Sequence, residues 1–357
     1  MTFLINRFRE QALEKLKENK VVGYFCCYVP AEIIEANGFM PVRLAGLGDG
    51  IAENEGEKFI HNEACSFCKE CLGLRSLNRP PYDKIDYLII PSGCDQMKRQ
   101  GEKWHLDFGV QTYHLFVPAT WEDSSSQNIY WQELKWLNEE LSAIAPAKQD
   151  LKTIVMQYNE ARKRFIRLNY LLSYNDYFNL AHLFFISPIS DFLHYLDEIE
   201  KNIKPKTGAA SDKIRLMLVG SPIGYGDNFI QDALEKYPDV NIVYDATCTG
   251  QRFFEIDIAL SGDIIADIAT AYFTRPPCIW QRPNSQFYQY IQTIIDKYRI
   301  DGIIYKTLKF CDLWKYEAKR FADWAKRPVI QIENTYSLAQ NAQINKRIAA
   351  FLETIKQ

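Results

Sequence analysis

Residues 85–95, IDYLIIPSGCD, and residues 300–312, IDGIIYKTLKFCD, are two versions of one unit. Each is a short apolar run that breaks off at a Cys-Asp pair, the form taken by a strand buried on both faces of a parallel sheet. Around the first copy, VVGYFC (21–26), FMPVRLA (39–45) and TYHLFVPA (112–119) supply further strands. VPAEIIEANG adds a helix with Pro30 in its first turn and Gly38 at its end. Around the second copy, IRLMLVG (214–220), NIVYDA (241–246), TAYF (270–273) and VIQIE (329–333) play the same part, and AQINKRIAAFLETI (342–355) closes the chain as a helix. From about Ile129 to Ile203 strand signals are missing and helical periodicity prevails, as in LKTIVMQYNEARKRFIRLNYLL. The expected fold class is α/β: an N-terminal α/β domain over 1–125, a helical connector over 126–210 and a C-terminal α/β domain over 211–357.

Composition narrows the function. With 42 basic and 45 acidic residues and a net charge of -3, the chain lacks the charge excess of a nucleic-acid binder. No apolar stretch is long enough to cross a bilayer, and MTFLINRFREQALEKLK reads as an amphipathic helix without a signal-peptide core. The expectation is a cytoplasmic protein. In that reducing compartment nine dispersed cysteines point to metal binding or catalysis rather than to disulfides.

Six of the nine fall into two triplets, Cys26, Cys65 and Cys94 in one half and Cys248, Cys278 and Cys311 in the other. Successive members stand roughly thirty to forty residues apart, about one strand-helix unit. Cys26, Cys94, Cys248 and Cys311 each follow an expected strand, where ligands collect in open parallel sheets. A thiol placed there also feels the start of the following helix, which favours the thiolate. Three thiolates suit an iron-sulfur cluster with one iron left open, and two facing sets suit a larger assembly.

Cys65-Ser-Phe-Cys68-Lys-Glu-Cys71 begins like a ferredoxin motif, but Arg75 and Ser76 stand where the fourth Cys and its Pro belong. Cys65 is therefore the expected ligand, with Cys68 and Cys71 as small apolar filling. Cys27 is expected to point to the opposite face of its strand as core. GSPIGYGDN (220–228) lacks the Lys-Ser/Thr of a P-loop and reads as a tight turn, although its amides suit a phosphate or thioester. His61, His105, His114, His182 and His194 show no paired metal spacing. Arg43, Arg99 and Arg252 lie near the cleft and suit an anion, with salt bridges to local acids as the plainer role. Asp95 and Asp312, beside Cys94 and Cys311, are expected to cap helices or relay protons. No catalytic residue is singled out. Zinc binding or a non-catalytic scaffold is the alternative for the cysteines, though the dispersed triplets lack close zinc-knuckle pairs.

The segments GYFCCYVPAEIIEANGFMPVRLAG, ACSFCKECLG, IIPSGCDQMKR, DATCTGQR, DGIIYKTLKFCD and INKRIAAFLE closely resemble the 2-hydroxyacyl-CoA dehydratase and benzoyl-CoA reductase family over nearly the whole chain. That resemblance implies two Rossmann- or flavodoxin-like domains, dimerised around deep cluster sites. It implies cluster ligands at the motifs of Cys26, Cys65 and Cys94, and a separate ATP-hydrolysing iron-sulfur activator that delivers low-potential electrons. The second triplet makes the chain most similar to the double-cubane cluster branch, in which Cys248, Cys278 and Cys311 would complete an [8Fe-9S] cluster in a homodimer that reduces a small molecule. The alternative branch is a dehydratase or aryl-CoA reductase subunit, a heterodimer partner with one [4Fe-4S] cluster, in which the dehydratase eliminates water from an acyl-CoA through a ketyl radical. Cys27 departs from the family's usual Thr or Ser, and IENTYSLAQNAQ (332–343) from its more acidic, Gly-containing version.

Overall fold

The computed structural model describes residues 1–203, 213–337 and 341–356. The expected boundary between 210 and 211 lies outside them, as do residues 338–340 of the IENTYSLAQNAQ segment. Two four-stranded parallel sheets organise the chain. The first comprises β1 (Val21–Tyr24), β2 (Met40–Arg43), β3 (Tyr87–Pro91) and β4 (Gln111–Leu115) in the order β2-β1-β3-β4. The second comprises β5 (Ile214–Gly220), β6 (Val240–Asp245), β7 (Gly302–Leu308) and β8 (Val329–Asn334) in the order β6-β5-β7-β8. The two orders are identical once the strands are renumbered, so the two Cys-Asp units occupy the same station, β3 and β7, in two copies of one topology.

Burial follows from that station. All seven residues of β7 are buried, whereas the edge strand β8 alternates buried and exposed positions, as expected for inner and outer members of a covered sheet. Successive β5 residues separate cleanly: Met217 and Val219 join one apolar cluster with Ile303 and Tyr305, while Leu216 and Leu218 join another with Ile304 on the opposite face. The two-residue period of a strand thus builds a core on each side of the second sheet.

Helices Ser124–Ala143, Leu151–Leu168, Tyr174–Phe184 and Ile189–Asn202 fill the stretch between the sheets. Their buried faces merge with the first sheet into one large core that also takes in Phe253, Phe254, Tyr272 and Phe273 from the second half. TAYF, expected as a strand, is instead the end of the helix Ile264–Phe273. Asp263 caps that helix by accepting from the Ala266 amide, and Ile268, Ala269, Tyr272 and Phe273 are buried along one stripe. The aromatic run looks strand-like in isolation because its helical partners lie upstream of it.

At the seam between this helix and the first half, Glu32 and Arg162 are both fully buried and paired. Tyr272 donates to Glu32 at 2.8 Å and accepts from Arg162 at 3.0 Å. A buried pair gains little over apolar packing, but removing one partner strands the other charge. Arg162→Met is expected to lower unfolding stability by about 3–5 kcal/mol, measured by urea denaturation. The double change Arg162→Met with Glu32→Leu should recover much of the loss, since no orphaned charge remains.

Candidate functional site

The loops that leave the carboxyl ends of the two sheets meet each other. Tyr225 N donates to Gly46 O at 3.0 Å and Gly226 N donates to Leu47 O at 2.8 Å. A Cβ on Gly226 would stand 2.4 Å from Leu47 O, so the glycines of GSPIGYGDN let two backbones close on one another. The loop is a seam between the halves as well as the expected turn. The crevice it closes is where parallel sheets present their ligand-binding residues.

All nine cysteines are free. Their electrostatic contacts fall into two sets, each drawn from both halves. In the first set, the neighbouring Cys248 and Cys26 thiols hold Cys27 well below the usual range. Cys26 is raised by Cys27, by burial and by the neighbouring Cys278. Cys27 is buried in the apolar core, as expected, and also neighbours Cys26 and Cys248. Strand alternation does not govern it, because β1 ends at Tyr24 and the chain has already turned.

In the second set, the neighbouring Cys65 together with burial pushes the Cys311 thiol well above the usual range. Cys94 is raised first by burial, and Cys311 adds to the shift. Cys68 is buried in the apolar core, as expected of filling, and also neighbours Cys65 and feels Cys94 and Cys311. Cys71 is fully buried, with its sulfur 3.8 Å from the Tyr82 hydroxyl. The nearest neighbours thus do not divide as the sequence triplets do.

Each set has its own source of positive potential. Cys65, Cys94 and Cys311 are the N-cap residues of helices Ser66–Ser76, Asp95–Phe108 and Asp312–Trp324, so three helix starts converge on the second set. Asp95 and Asp312 occupy the first turns of their helices, but neither caps through its side chain. The first set is ringed by Arg43, Arg252 and Arg275, which are 2%, 1% and 4% exposed.

Arg43 reaches from β2 to the Cys248 carbonyl at 2.6 Å and its sulfur at 3.3 Å. Burial, the largest influence on Arg43, opposes its charge, yet Cys248 and Cys27 outweigh it and its pKa is raised. Arg252 donates to Pro277 O at 2.7 Å, and Arg275 donates to Cys27 O. Nitrogens on all three guanidinium groups, and Trp280 Nε1, have no hydrogen-bond partner among the described residues. Among the described residues neither Arg43 nor Arg252 makes a salt bridge, and thiols lie beside both. Arg99 is exposed, beside His61 and Glu63 in a surface pocket. Arg275 is absent from the residues expected of the site, although its place in RPPC, three residues before Cys278, is a legible signal.

Among the described residues no three His, Cys, Asp or Glu side chains stand close enough to share one metal ion, the compact arrangement that a tetrahedral zinc requires. A cubane is wider than an ion, and its thiolates stand correspondingly farther apart. Buried guanidinium groups with orphaned N–H donors beside thiols fit an anionic iron-sulfur cluster. No described helix is long and apolar enough to cross a membrane.

A family model described as 2-hydroxyglutaryl-CoA dehydratase, D-component, matches residues 26–355. The chain is 24% identical to the putative dehydratase subunit YjiM of Escherichia coli (strain K12), over 95% of this chain and 93% of that protein. It is 24% identical to one of the benzoyl-CoA reductase subunits of Thauera aromatica, over 94% of this chain and 91% of the relative. It is 23% identical to the (R)-phenyllactyl-CoA dehydratase beta subunit of Clostridium sporogenes, over 94% and 92% of the two chains.

Beside the second set, burial pushes the Glu70 carboxyl up to about 8, against the opposing hydrogen bonds from the Asp49 and Leu47 amides. Both amides donate to Oε1, at 2.8 and 2.9 Å, while Oε2 has no partner among the described residues. The folded chain therefore holds a proton that the unfolded chain releases above its ordinary pKa of 4.5. This contribution is complete below pH 4.5 and is lost as pH rises toward 8, by at most about 1.4 kcal/mol per pH unit. Glu70→Gln is expected to flatten the fall in stability between pH 5 and 8, measured by chemical denaturation. A smaller slope should remain from Glu35, which burial raises to about 7.

Proposed function

The chain belongs to the 2-hydroxyglutaryl-CoA dehydratase, D-component, family, and from that premise we propose that it is the electron-accepting, substrate-converting component of an iron-sulfur enzyme. Its six thiols, Cys26, Cys65, Cys94, Cys248, Cys278 and Cys311, would hold an [8Fe-9S] double cubane in a homodimer served by a separate ATP-hydrolysing activator. The observation that carries this reading is the meeting of thiols from both halves within each of two sets, one of them beside three buried guanidinium groups. A cluster there would supply low-potential electron transfer to a small substrate.

The residues of the chain have distinct tasks in this reading. Arg43, Arg252 and Arg275 lower the cost of placing negative charge in a dry crevice and hold the Cys248, Cys278 and Cys27 loops in register. The three helix starts at Cys65, Cys94 and Cys311 favour thiolates without adding a titratable group. Phe185 and Phe253, on either side of the Arg43 guanidinium at 4.7 and 4.8 Å, exclude water from its charge. The names of the relatives favour a second reading, a dehydratase or reductase subunit with one [4Fe-4S] cluster on Cys26, Cys65 and Cys94.

Iron and sulfide analysis of anaerobically purified protein separates the two. Removing Cys278 and Cys311 together takes one thiol from each set, and the double-cubane reading expects a sharp loss of iron while circular dichroism stays native. Full iron in that variant would return the chain to the single-cluster reading. Cys65→Ala is expected to lose iron in either case, whereas Cys68→Ala should retain most of it.

A further inference from the structure

Glu70 is buried on the helix that Cys65 begins, five residues along from that thiol. Its Oε1 takes the Leu47 and Asp49 amides, and its Oε2 has no hydrogen-bond partner among the described residues. The Tyr336 hydroxyl, which the second half brings in after β8, has none either. A Cβ on Gly46 would stand 2.8 Å from Glu70 Oε2 and 3.6 Å from the Tyr336 hydroxyl. The two unpartnered oxygens, one from each half, therefore converge on a spot that glycine leaves open. Cys71 feels both Glu70 and Cys65, and so does Tyr336.

The cations nearby are already engaged. Lys306 on β7 meets Asp227 at 2.6 Å, and Lys69 meets Glu57 at 2.9 Å and Glu53 at 3.7 Å. The other groups that face Glu70 are Asp49, Asp227, the Tyr82 and Tyr336 phenols and the Cys71 thiol. None of them carries positive charge. Once ionised, Glu70 is a bare charge in a dry seam, and burial and Asp227 both favour its protonated form. Five residues of helix put its carboxyl roughly 10 Å from the Cys65 thiol. At that range one more negative charge at the thiol end raises the proton affinity of Glu70 about tenfold or more.

We propose that Glu70 is a redox-linked proton site, which takes up one proton from water as one electron enters the cluster that Cys65 helps to hold and gives it back when the electron leaves. The electron comes from the external reductant, the carboxylate becomes a carboxyl group, and no other bond changes. The inference rests on the presence of a cluster, and Cys65 is a ligand in both cluster readings above. Near neutral pH the arriving electron meets a neutral carboxyl. Above about pH 8 it meets a carboxylate, and reduction then draws in the proton. The midpoint potential is therefore level below that pH and falls above it by up to about 59 mV per pH unit, the tenfold step of a one-electron couple.

The test is an anaerobic redox titration of the iron-loaded full chain on both sides of pH 8, followed by visible and paramagnetic-resonance spectra. Glu70→Gln keeps an acceptor for the Leu47 and Asp49 amides and imitates the neutral carboxyl. It should leave the potential below pH 8 close to that of the unaltered chain and remove the fall above it. A level profile in the unaltered chain, or an equally steep fall in Glu70→Gln shown by circular dichroism to be folded, overturns the inference. A second measurement needs no variant: the reduced-minus-oxidised infrared spectrum above pH 8 should show a carboxylate band replaced by a carboxyl band. Absence of that exchange also overturns it. Iron and sulfide are measured on the same samples. A chain without them removes the cluster reading and this inference together, whereas an iron-loaded chain with a level profile removes this inference alone.

Discussion

Two guanidinium groups cross the crevice in opposite directions, and the meeting of the halves depends on them. Arg43 leaves the first sheet to bind the carbonyl and sulfur of Cys248, while Arg275 leaves the second half to bind the carbonyl of Cys27. Charges buried so deeply are tolerated only where an anion or an array of acceptors answers them. Here the answering groups are thiols and loop carbonyls rather than carboxylates. The consequence is an interface whose stability is tied to the ionisation of the sulfurs it encloses.

The two thiol sets solve that electrostatic problem differently. Around Cys26, Cys27, Cys248 and Cys278 the positive potential comes from full charges on flexible side chains. Around Cys65, Cys94 and Cys311 it comes from the starts of three helices, which are fixed by the backbone. Full charges stabilise added negative charge more strongly than helix starts do. In the proposed reading the two ends of a shared cluster are then unequal, and an added electron favours the arginine-lined end.

The inequality has a simple origin in the doubled topology. Both sheets change direction between their two central strands, where a crevice opens. In the first sheet that point is flanked by Cys26 after β1 and Cys94 after β3. In the second it is flanked by Cys311 after β7 and by Ser221 after β5; Ser221 hydrogen bonds to Cys311 and favours its thiolate. Cys248 and Cys278 are displaced to the loop after β6 and to RPPC. The two halves share one frame, and the second distributes its thiols over different loops.

Local pattern is enough to determine the α/β class, most strands, the helical middle and the six cysteines as a group, because strand burial, helix periodicity and a thiol at a strand end are short-range features. The same locality explains the misread segment: TAYF, taken alone, is cut off from its helical partners. Cys27 and Cys68 are buried in the core as expected, and only the fold sets them beside Cys248 and Cys65. Which thiols become neighbours, and that Arg43 and Arg275 answer them across the crevice, is decided by tertiary structure alone. These contacts join residues more than two hundred positions apart, and the forces that select them, desolvation and charge, exist only once the two sheets close on each other.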